Sequence, residues 1–255
     1  MVNNQVRQKT FFSSKLKNFL EELFRSHPYG YGFARYLAGK FFYKSLGEKD
    51  FEAFKDFEFP NQKIFVDIGA NDGISALLFH YFNKKNPIVS FEPDNFHLKS
   101  LDRIKKKIKN FNYENIGLSN EKSIINLYIP KVYGVYIGQL ASTDKNEAYS
   151  NVFKILTTKN LEKKIQLIEK KVSVKTLDSF AFDVCAIKID VEGHELKVLE
   201  GAKSTISKHL PILMIELKNN DAEDIYYFLK KLKYELYIFE NKKLKKVNLS
   251  DLSLV

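Results

Sequence analysis

Residues 190 to 195 place three carboxylates and one imidazole within six positions. They directly follow an apolar run, residues 186–189, whose pattern predicts a buried strand. A neutral alcohol is a poor nucleophile, so its reaction benefits from a base within hydrogen-bond reach or from a divalent ion that acidifies the hydroxyl. Carboxylates and an imidazole can act as such a base or as ligands of such an ion. We therefore predict catalytic roles for Asp190, Glu192 and His194 on an oxygen acceptor.

A further carboxylate, Glu216, lies in the apolar run at residues 212–217. Open α/β sheets bind ligands at the carboxyl ends of their strands, so Glu216 is expected near the first cluster. Oxygen and imidazole ligands suit Mg²⁺, Mn²⁺ or Fe²⁺. Two alternatives follow: direct base catalysis, which we favour, or a divalent ion held by Asp190, Glu192, His194 and Glu216. The other histidines, His97 among them, show no ligand or triad spacing, and we expect no chemistry from them.

A glycine-bracketed turn follows another apolar run, at Val66-Asp67-Ile68-Gly69-Ala70-Asn71-Asp72-Gly73. Glycines in such a strand-to-helix turn let the backbone approach a ligand, and a side chain at Gly69 or Gly73 is expected to occupy the ligand's volume. The dinucleotide fingerprint requires glycines at positions 69, 71 and 74, but Asn71 and Ile74 stand at the last two. The turn therefore predicts a nucleoside cofactor without a pyrophosphate.

Glu92 ends the next predicted strand, residues 88–92, and stands 25 positions after Asp67. Doubly wound folds place a carboxylate on ribose hydroxyls at this point of the sheet. A carboxylate is an acceptor with room for two hydroxyl donors, which suits a free 2′,3′-diol. We therefore predict that Glu92 binds the ribose of the cofactor, while Asp94 caps the following helix.

Short apolar runs alternate with helical patterns between residues 63 and 247. Strands are predicted at residues 63–67, 88–92, 113–118, 124–129, 184–190 and 212–217, and a hairpin at 236–240 with 244–247. Helices are predicted at 74–82, after Asp94, at 195–207 and at 221–231, with Glu195 complementing the start of its helix. This alternation predicts an α/β fold, a Rossmann-like doubly wound parallel sheet to which the hairpin adds an antiparallel edge.

Two further regions stand outside this pattern. Helical periodicity at residues 10–26 and 33–46 predicts a helical appendage at residues 1–60, ahead of a main domain at residues 61–255. Its apolar face is expected to pack on the core or on a second copy of the chain, which would make a homo-oligomer. Residues 131–171, rich in Tyr, Lys and Asn, are expected to form an insertion that faces the acceptor.

The composition excludes several classes of protein. At 255 residues with 44% hydrophobic residues, the chain fits one globular domain with appendages rather than a disordered or fibrous protein. The single cysteine, Cys185, excludes an intramolecular disulfide and a cysteine-cluster zinc site and suits a reducing cytoplasm. No run approaches the ~20 apolar residues of a membrane span. The net charge of +10, carried mostly by lysines, predicts a solvated lysine surface, with an anionic partner as the alternative.

Five motifs, in this order along the chain, resemble those of the FkbM-family methyltransferases. They are residues 66–73, Phe91-Glu92-Pro93, residues 115–119, residues 176–180, and residues 187–195 followed by Leu199-Glu200-Gly201-Ala202. In this turn Asn71 replaces the middle glycine of the general methyltransferase glycine loop, and members of this family share that replacement. The resemblance implies S-adenosylmethionine as the cofactor and a seven-stranded sheet of the class I methyltransferase type, with strand order 3-2-1-4-5-7-6.

The resemblance also implies a role for each matching residue. The methionine end of the cofactor would be held by Asp67, Gly69, Asn71, Asp72 and Gly73, with Asp190 serving both the cofactor and the acceptor. Glu92 would take the ribose hydroxyls, in agreement with its position after the second strand. The adenine would be flanked by Asn115, Gly117 and Leu118.

Together, these observations predict a cytoplasmic S-adenosylmethionine-dependent O-methyltransferase. We expect its acceptor to be a hydroxyl of a sugar or sugar-nucleotide, in glycan or capsule biosynthesis, and we expect no nucleic-acid partner and no integral membrane segment. A nicotinamide-dependent oxidoreductase is one alternative, which the failed glycine spacing disfavours. The other is a membrane-surface or RNA-binding protein with a vestigial methyltransferase core, which the intact Asp67, Glu92 and Asp190 disfavour.

Overall fold

The computed structural model of the chain describes residues 49–156, 161–217, 221–240 and 242–252. The predicted helices at residues 10–26 and 33–46 lie outside the described residues, and so does the surface expected to mediate oligomerisation. The end of the predicted appendage is a 3₁₀ helix, Lys49–Asp56. Its Phe51 and Phe54 are buried in the apolar cluster that contains Phe65 and Phe79. This segment is therefore part of the main core.

The described residues form eleven strands and seven α-helices. The strands are β1 (Ile64–Ile68), β2 (Ile88–Phe91), β3 (Phe111–Glu114), β4 (Gly117–Leu118), β5 (Ser123–Val132), β6 (Val135–Tyr136), β7 (Ile165–Lys175), β8 (Val184–Ile189), β9 (Ile212–Ile215), β10 (Tyr237–Glu240) and β11 (Lys243–Lys246). The helices are α1 (Ile74–Phe82), α2 (Leu98–Lys107), α3 (Lys145–Ile155), α4 (Glu195–Gly201), α5 (Lys203–His209), α6 (Ala222–Lys231) and α7 (Leu249–Leu252). Among them there is no helix with the length and apolar character needed to cross a bilayer.

The core of the fold is a five-stranded parallel sheet of order β3-β2-β1-β8-β9. β8 is buried at all of its positions and β1 at all but the first. Strands that are covered on both faces need continuous apolar runs. Neighbouring residues of these strands, such as Phe65 and Val66 in β1 or Ala186 and Ile187 in β8, pack into different apolar clusters. The predicted α/β fold with a mainly parallel sheet is therefore confirmed.

The chain leaves this sheet after β3 and builds a second sheet of order β4-β7-β5-β6. Its main pair, β5 with β7, is antiparallel over ten residue pairs. From Glu169 onward, β7 alternates between exposed and more buried residues, as expected of a strand with one face toward water. The predicted insertion at residues 131–171 lies within this larger region.

The second sheet corrects the prediction that residues 113–118 and 124–129 are strands of the main sheet. The first run is divided, because β3 belongs to the central sheet while β4 pairs with β7. The second run is β5, whose partners are β7 and β6. A parallel return to the central sheet requires a crossover of a dozen or more residues, and the short segment between β3 and β5 does not allow one.

Two more elements differ from the prediction. The central sheet has five strands among the described residues rather than seven, since β10 and β11 pair with each other in a separate two-stranded sheet. All four residues of β11 are exposed, so this hairpin lacks the apolar faces that a strand inside the covered sheet needs. The helix predicted at residues 195–207 is divided into α4 and α5, because Ala202 leaves helical geometry at φ −110° and ψ 4°.

Candidate functional site

A cavity of about 270 Å³ opens at the carboxyl edge of the central sheet. The ends of β1, β2, β8 and β9 contribute to one wall, and apolar side chains of the second sheet contribute to another. The predicted site residues that line the cavity are Gly69, Asn71, Glu92, Gly117, Leu118, Asp190, Glu192, His194 and Glu216. The predicted cofactor residues that do not line it are Asp67, Asp72, Gly73 and Asn115.

The turn after β1 is held against the end of β2. The amides of Gly69 and Ala70 both donate to the carbonyl of Phe91, at 3.0 and 3.1 Å. The amide of Asn71, which has a left-handed φ of 53°, donates to Glu92 Oε2 at 2.8 Å. The turn and the carboxylate of Glu92 therefore form one unit, whose backbone shape depends on the hydrogen bonds between them.

The glycines of this turn are required by neighbouring protein atoms, a constraint that acts in addition to the ligand volume predicted from the sequence. A Cβ at Gly69 would overlap the carbonyl oxygen of Asp190. A Cβ at Gly73 would overlap the Ile104 side chain of α2. Both glycines also have positive φ, 76° and 78°, which side chains disfavour. Close packing of the turn on the sheet and on α2 explains both positions.

Glu92 and Asn71 fit the nucleoside part of the implied cofactor. Glu92 is buried and accepts the amides of Asn71 and Asp94 at 2.8 Å each, one on each carboxylate oxygen. A carboxylate has about four lone-pair positions, so acceptor capacity remains for two hydroxyls. Burial raises the pKa of Glu92, although the charge of His97 and the two amides oppose this rise. Asn71 Oδ1 is buried without a hydrogen-bond partner among the described residues, so it offers a further acceptor at the cavity.

Asp67 is fully buried behind the turn rather than in the cavity lining. Its two oxygens accept hydrogen bonds from Ser75 Oγ and Ser90 Oγ, each at 2.8 Å. Asp67 Oδ1 also lies 3.8 Å from Lys188 Nζ. These contacts give Asp67 a role in holding β1, α1 and β2 together beside the cavity.

Lys188 is a site residue that the sequence analysis did not single out. Its ammonium group donates to the carbonyl of Gly69 at 3.0 Å and pairs with Asp190 Oδ2 at 3.0 Å. The sequence does contain a feature that distinguishes Lys188, because it is the one charged residue within the apolar strand β8. A buried lysine requires carboxylate partners, so its side chain implies acids nearby.

Asp190, Glu192 and Glu216 come together, as predicted from the strand ends. Each offers a carboxylate oxygen, and these oxygens lie within 4.8 Å of one another. His194 does not complete this group among the described residues, so the predicted four-ligand set is not assembled. Glu192 has a left-handed φ of 55°, and its carbonyl accepts a hydrogen bond from Ser142 Oγ at 2.7 Å. The loop is therefore tied to the second sheet region.

Glu195 shapes the loop between β8 and α4. Its carboxylate accepts the amides of Val191 and Gly193 at 3.1 to 3.2 Å. Both amides belong to the loop before α4, so this contact is distinct from the predicted interaction of Glu195 with the first turn of its helix. A Cβ at Gly193 would lie 2.5 Å from Glu147 Oε2, so this loop also packs closely on α3.

His194 lines the cavity but is directed toward β4. Its Nε2 lies 2.9 Å from the hydroxyl oxygen of Ser119, the residue that follows β4. Burial, together with the charge of Lys197, lowers the pKa of His194 to about 4. The imidazole is therefore neutral at neutral pH, and a neutral ring can accept a proton.

Asp72 and Asn115 contact residues around the cavity rather than lining it. Asp72 Oδ1 lies 2.8 Å from His97 Nδ1, and Asp72 Oδ2 accepts a hydrogen bond from Gln139 Nε2 at 2.9 Å. Asn115 Nδ2 donates to the carbonyl of Glu92 at 2.8 Å. Of the adenine candidates, Gly117 and Leu118 line the cavity itself. No local pattern identifies Gln139, which reaches the site only because the second sheet folds back onto it.

The chain is similar to known methyltransferases. The model of the methyltransferase FkbM domain matches residues 67–236. No curated protein matches the chain. Among solved structures, a precorrin-6y C5,15-methyltransferase from Geobacter metallireducens resembles it with a TM-score of 0.41 and 9% sequence identity, over 80% of this chain and 86% of that chain.

Proposed function

The chain belongs to the FkbM methyltransferase family, and we propose that it transfers the methyl group of S-adenosylmethionine to a hydroxyl of a sugar. The sugar is free or carried on a nucleotide, in glycan or capsule biosynthesis. The observation that carries the proposal is that His194, a neutral imidazole, and Glu92, a carboxylate suited to ribose, line one cavity. Transfer to oxygen needs a cofactor and a proton acceptor side by side.

On the cofactor side, the residues of this chain bind and orient. Glu92 accepts the two ribose hydroxyls with its remaining lone pairs, and Asn71 Oδ1 accepts a further donor. Gly117 and Leu118 supply an apolar surface for the adenine, next to Pro93. When bound, S-adenosylmethionine supplies an electrophilic methyl group on a sulfonium. The acidic lining, with Glu92 and Asp190, favours that positive charge.

On the acceptor side, Ser119 sets the tautomer of His194. The hydroxyl of Ser119 has one proton, and Asn120 Oδ1, an acceptor only, lies 3.3 Å from the hydroxyl oxygen. If Ser119 donates that proton to Asn120, its oxygen accepts from His194 Nε2, which then carries the ring proton. The lone pair of the imidazole is then on Nδ1. We assign to this nitrogen the proton that leaves the acceptor hydroxyl.

Asp190, Glu192 and Glu216 bind the remaining hydroxyls of the acceptor. Three carboxylates whose oxygens lie within 4.8 Å of one another offer many hydrogen-bond acceptors and few donors. A sugar presents several adjacent hydroxyl donors, so the two sets are complementary. Lys188 holds Asp190 in place through its 3.0 Å ion pair, and the loop bonds of Glu195 fix the backbone between Asp190 and His194.

A binding measurement tests the cofactor part of the proposal. S-adenosylhomocysteine should raise the melting temperature of the protein, because a ligand that binds only the folded state stabilises it, whereas NAD should not. Stabilisation by NAD alone would favour the oxidoreductase. Stabilisation only by RNA or anionic vesicles would favour a membrane-surface or RNA-binding protein with a vestigial methyltransferase core.

An activity screen tests the acceptor part. S-adenosylmethionine with a labelled methyl group is incubated with a panel of neutral sugars, nucleotide-sugars and amines, and products are identified by mass spectrometry. We expect the label on an oxygen of a sugar. His194→Gln should lose this activity while retaining S-adenosylhomocysteine binding, and His209→Gln is the matched control, since His209 pairs with Asp183 outside the cavity lining. A labelled amine would refute the oxygen acceptor.

A further inference from the structure

His97 is a buried histidine that the proposed reaction does not use. It is the last residue of the 3₁₀ turn Asn95–His97 after β2, and it is 1% exposed. Its Nδ1 lies 2.8 Å from Asp72 Oδ1. Its Nε2 lies 4.0 Å from Asp94 Oδ2 and has no hydrogen-bond partner among the described residues. A buried ring nitrogen without a hydrogen bond calls for an explanation, because such a group is costly to bury.

The ring of His97 lies where three parts of the cavity wall meet. Asp72 belongs to the turn after β1 and also binds Gln139 of the second sheet region. Asp94 belongs to the turn after β2 and accepts Tyr136 Oη at 2.6 Å and Lys170 Nζ at 3.0 Å. The ring is therefore surrounded by the two cofactor turns and by the wall on the acceptor side.

The packing around the ring leaves no space for rearrangement on the acceptor side. A Cβ at Gly138, in the 3₁₀ turn Gly138–Leu140, would lie 2.6 Å from His97 Nε2 and 3.1 Å from Asp94 Oδ2. Gly138 and its neighbour Gln139 both line the cavity. A displacement of the His97 ring would therefore be transmitted to the cavity lining through backbone contact.

The charges that face the ring favour its protonated form. They are the carboxylates of Asp72, Glu92 and Asp94, and Lys170 is the cation paired with Asp94. Burial lowers the pKa of His97, but the hydrogen bond to Asp72 and the charges of Glu92, Asp72 and Asp94 outweigh it and raise the pKa above its ordinary value. In return, the charge of His97 opposes the effect of burial on Glu92.

We propose that His97 is a positioning residue for the cofactor site: its imidazolium holds the turn after β1 through Asp72 and keeps Glu92 ionised for the ribose, while its ring abuts the acceptor wall at Gly138. This inference rests on the proposed function, because it assigns the ribose to Glu92. The buried charge of His97 therefore also sets the pH range in which the cofactor binds.

The pH dependence follows from the two raised pKa values. Binding needs ionised Glu92, so affinity falls as the pH decreases through the pKa of Glu92. Binding also needs protonated His97, so affinity falls as the pH increases through the pKa of His97. A variant without the His97 charge should lose the alkaline decline. Its acid decline should begin at a higher pH, since the cation that stabilised ionised Glu92 is gone.

The test is the affinity for S-adenosylhomocysteine, measured by calorimetry across the pH range, for the wild-type protein, His97→Gln and His209→Gln. His209 is the matched control, because its Nδ1 lies 3.0 Å from Asp183 in a similar pair outside the cavity lining. For His97→Gln we expect the acid decline to move up by about one pH unit and the alkaline decline to disappear. His209→Gln should retain the wild-type profile.

Each outcome has a defined meaning. A wild-type protein that does not bind S-adenosylhomocysteine overturns the proposed function and the role of His97 with it. Wild-type binding with an unchanged profile in His97→Gln overturns the role of His97 alone. If His97→Gln does not fold, NMR titration of the histidine rings in the wild type and in Asp72→Asn decides. We expect a raised His97 pKa that falls by about one pH unit in Asp72→Asn; an ordinary value in both proteins refutes the proposal.

Discussion

The backbone carbonyl of Asp190 occupies the space that a side chain at Gly69 would need. The two residues follow adjacent strands, β1 and β8, and the amide of Asp190 donates to the carbonyl of Ile68 at 3.1 Å. This close approach brings the turn after β1, which we propose binds the cofactor, next to Asp190, the first of the carboxylates that we propose bind the acceptor. Backbone packing between the two strand ends therefore determines how near the two halves of the site can lie.

Gly69→Ala should destabilise the fold through this contact. The added Cβ must displace Asp190, and Gly69 also has a φ of 76°. Gly134→Ala is the matched control, because Gly134 has a φ of 81° with nothing within 4 Å of its Cβ position. We expect a loss of about 1 kcal/mol for Gly134→Ala from the backbone alone, and about 2 kcal/mol or more for Gly69→Ala once overpacking is added. Urea unfolding measures both, and equal losses would show that the contact with Asp190 carries no cost.

Glu92→Gln should weaken cofactor binding. The amide keeps the shape but loses the charge and one acceptor oxygen, and a hydrogen bond to a charged group contributes about 1.5–3 kcal/mol. We therefore expect at least a tenfold loss of S-adenosylhomocysteine affinity, since about 1.4 kcal/mol corresponds to a factor of ten. Calorimetry measures the loss. Glu114→Gln, at the position paired with Phe91 on β3, is the control with unchanged affinity; similar losses in both would remove the special role of Glu92.

His194 should titrate far below an ordinary histidine. Burial and Lys197 lower its pKa to about 4. A base is active when deprotonated, so turnover should increase as the pH rises through this value and then become level, with no step near the ordinary value of about 6.5. His194→Gln should reduce turnover by about 10² to 10⁴. A pH–rate profile under chemistry-limited conditions checks both, and a step near the ordinary histidine value that disappears in His194→Gln would contradict the lowered pKa.

Removal of divalent ions should leave turnover unchanged. With His194 as the base, Asp190, Glu192 and Glu216 act as acceptors for hydroxyl groups rather than as metal ligands. Dialysis against EDTA should therefore have no effect, whereas Glu216→Gln should raise KM for the acceptor more than it lowers kcat. Glu240→Gln, on the exposed hairpin, is the control. Loss of turnover in EDTA that Mn²⁺ or Mg²⁺ restores would instead assign a metal to the three carboxylates.

The central sheet and several site residues were predictable from local patterns. β1, β2 and β8 are short, mainly apolar runs; Glu92 and Asp190 directly follow β2 and β8, and Asn71 stands three residues after β1. Parallel strands place such residues at one edge, which is why Asn71, Glu92 and Asp190 share a cavity as predicted. The predicted bounds of α1 match the observed bounds, because a turn rich in glycine precedes its apolar periodicity.

The second sheet was not predictable in the same way. β5 follows β3 after a short segment, and its long antiparallel partner β7 lies more than thirty residues further along the chain. No local pattern specifies that pairing, because strands of half-exposed residues can adopt more than one register and partner. The contacts that depend on it include Gln139 with Asp72 and Ser142 with Glu192. These residues could be assigned to the site only from the folded chain.

The sequence alone determined the family through the resemblance of its five ordered motifs. It also determined the α/β fold and the carboxylates at the strand ends, because these depend on periodicity and on residue type at the ends of apolar runs. Tertiary structure decided which neighbours each side chain meets. It turns His194 toward Ser119 and away from the three carboxylates, and it surrounds His97 with Asp72 and Asp94. The protonation of a histidine depends on burial and on nearby charges, and both are set by contacts between residues that are distant in sequence.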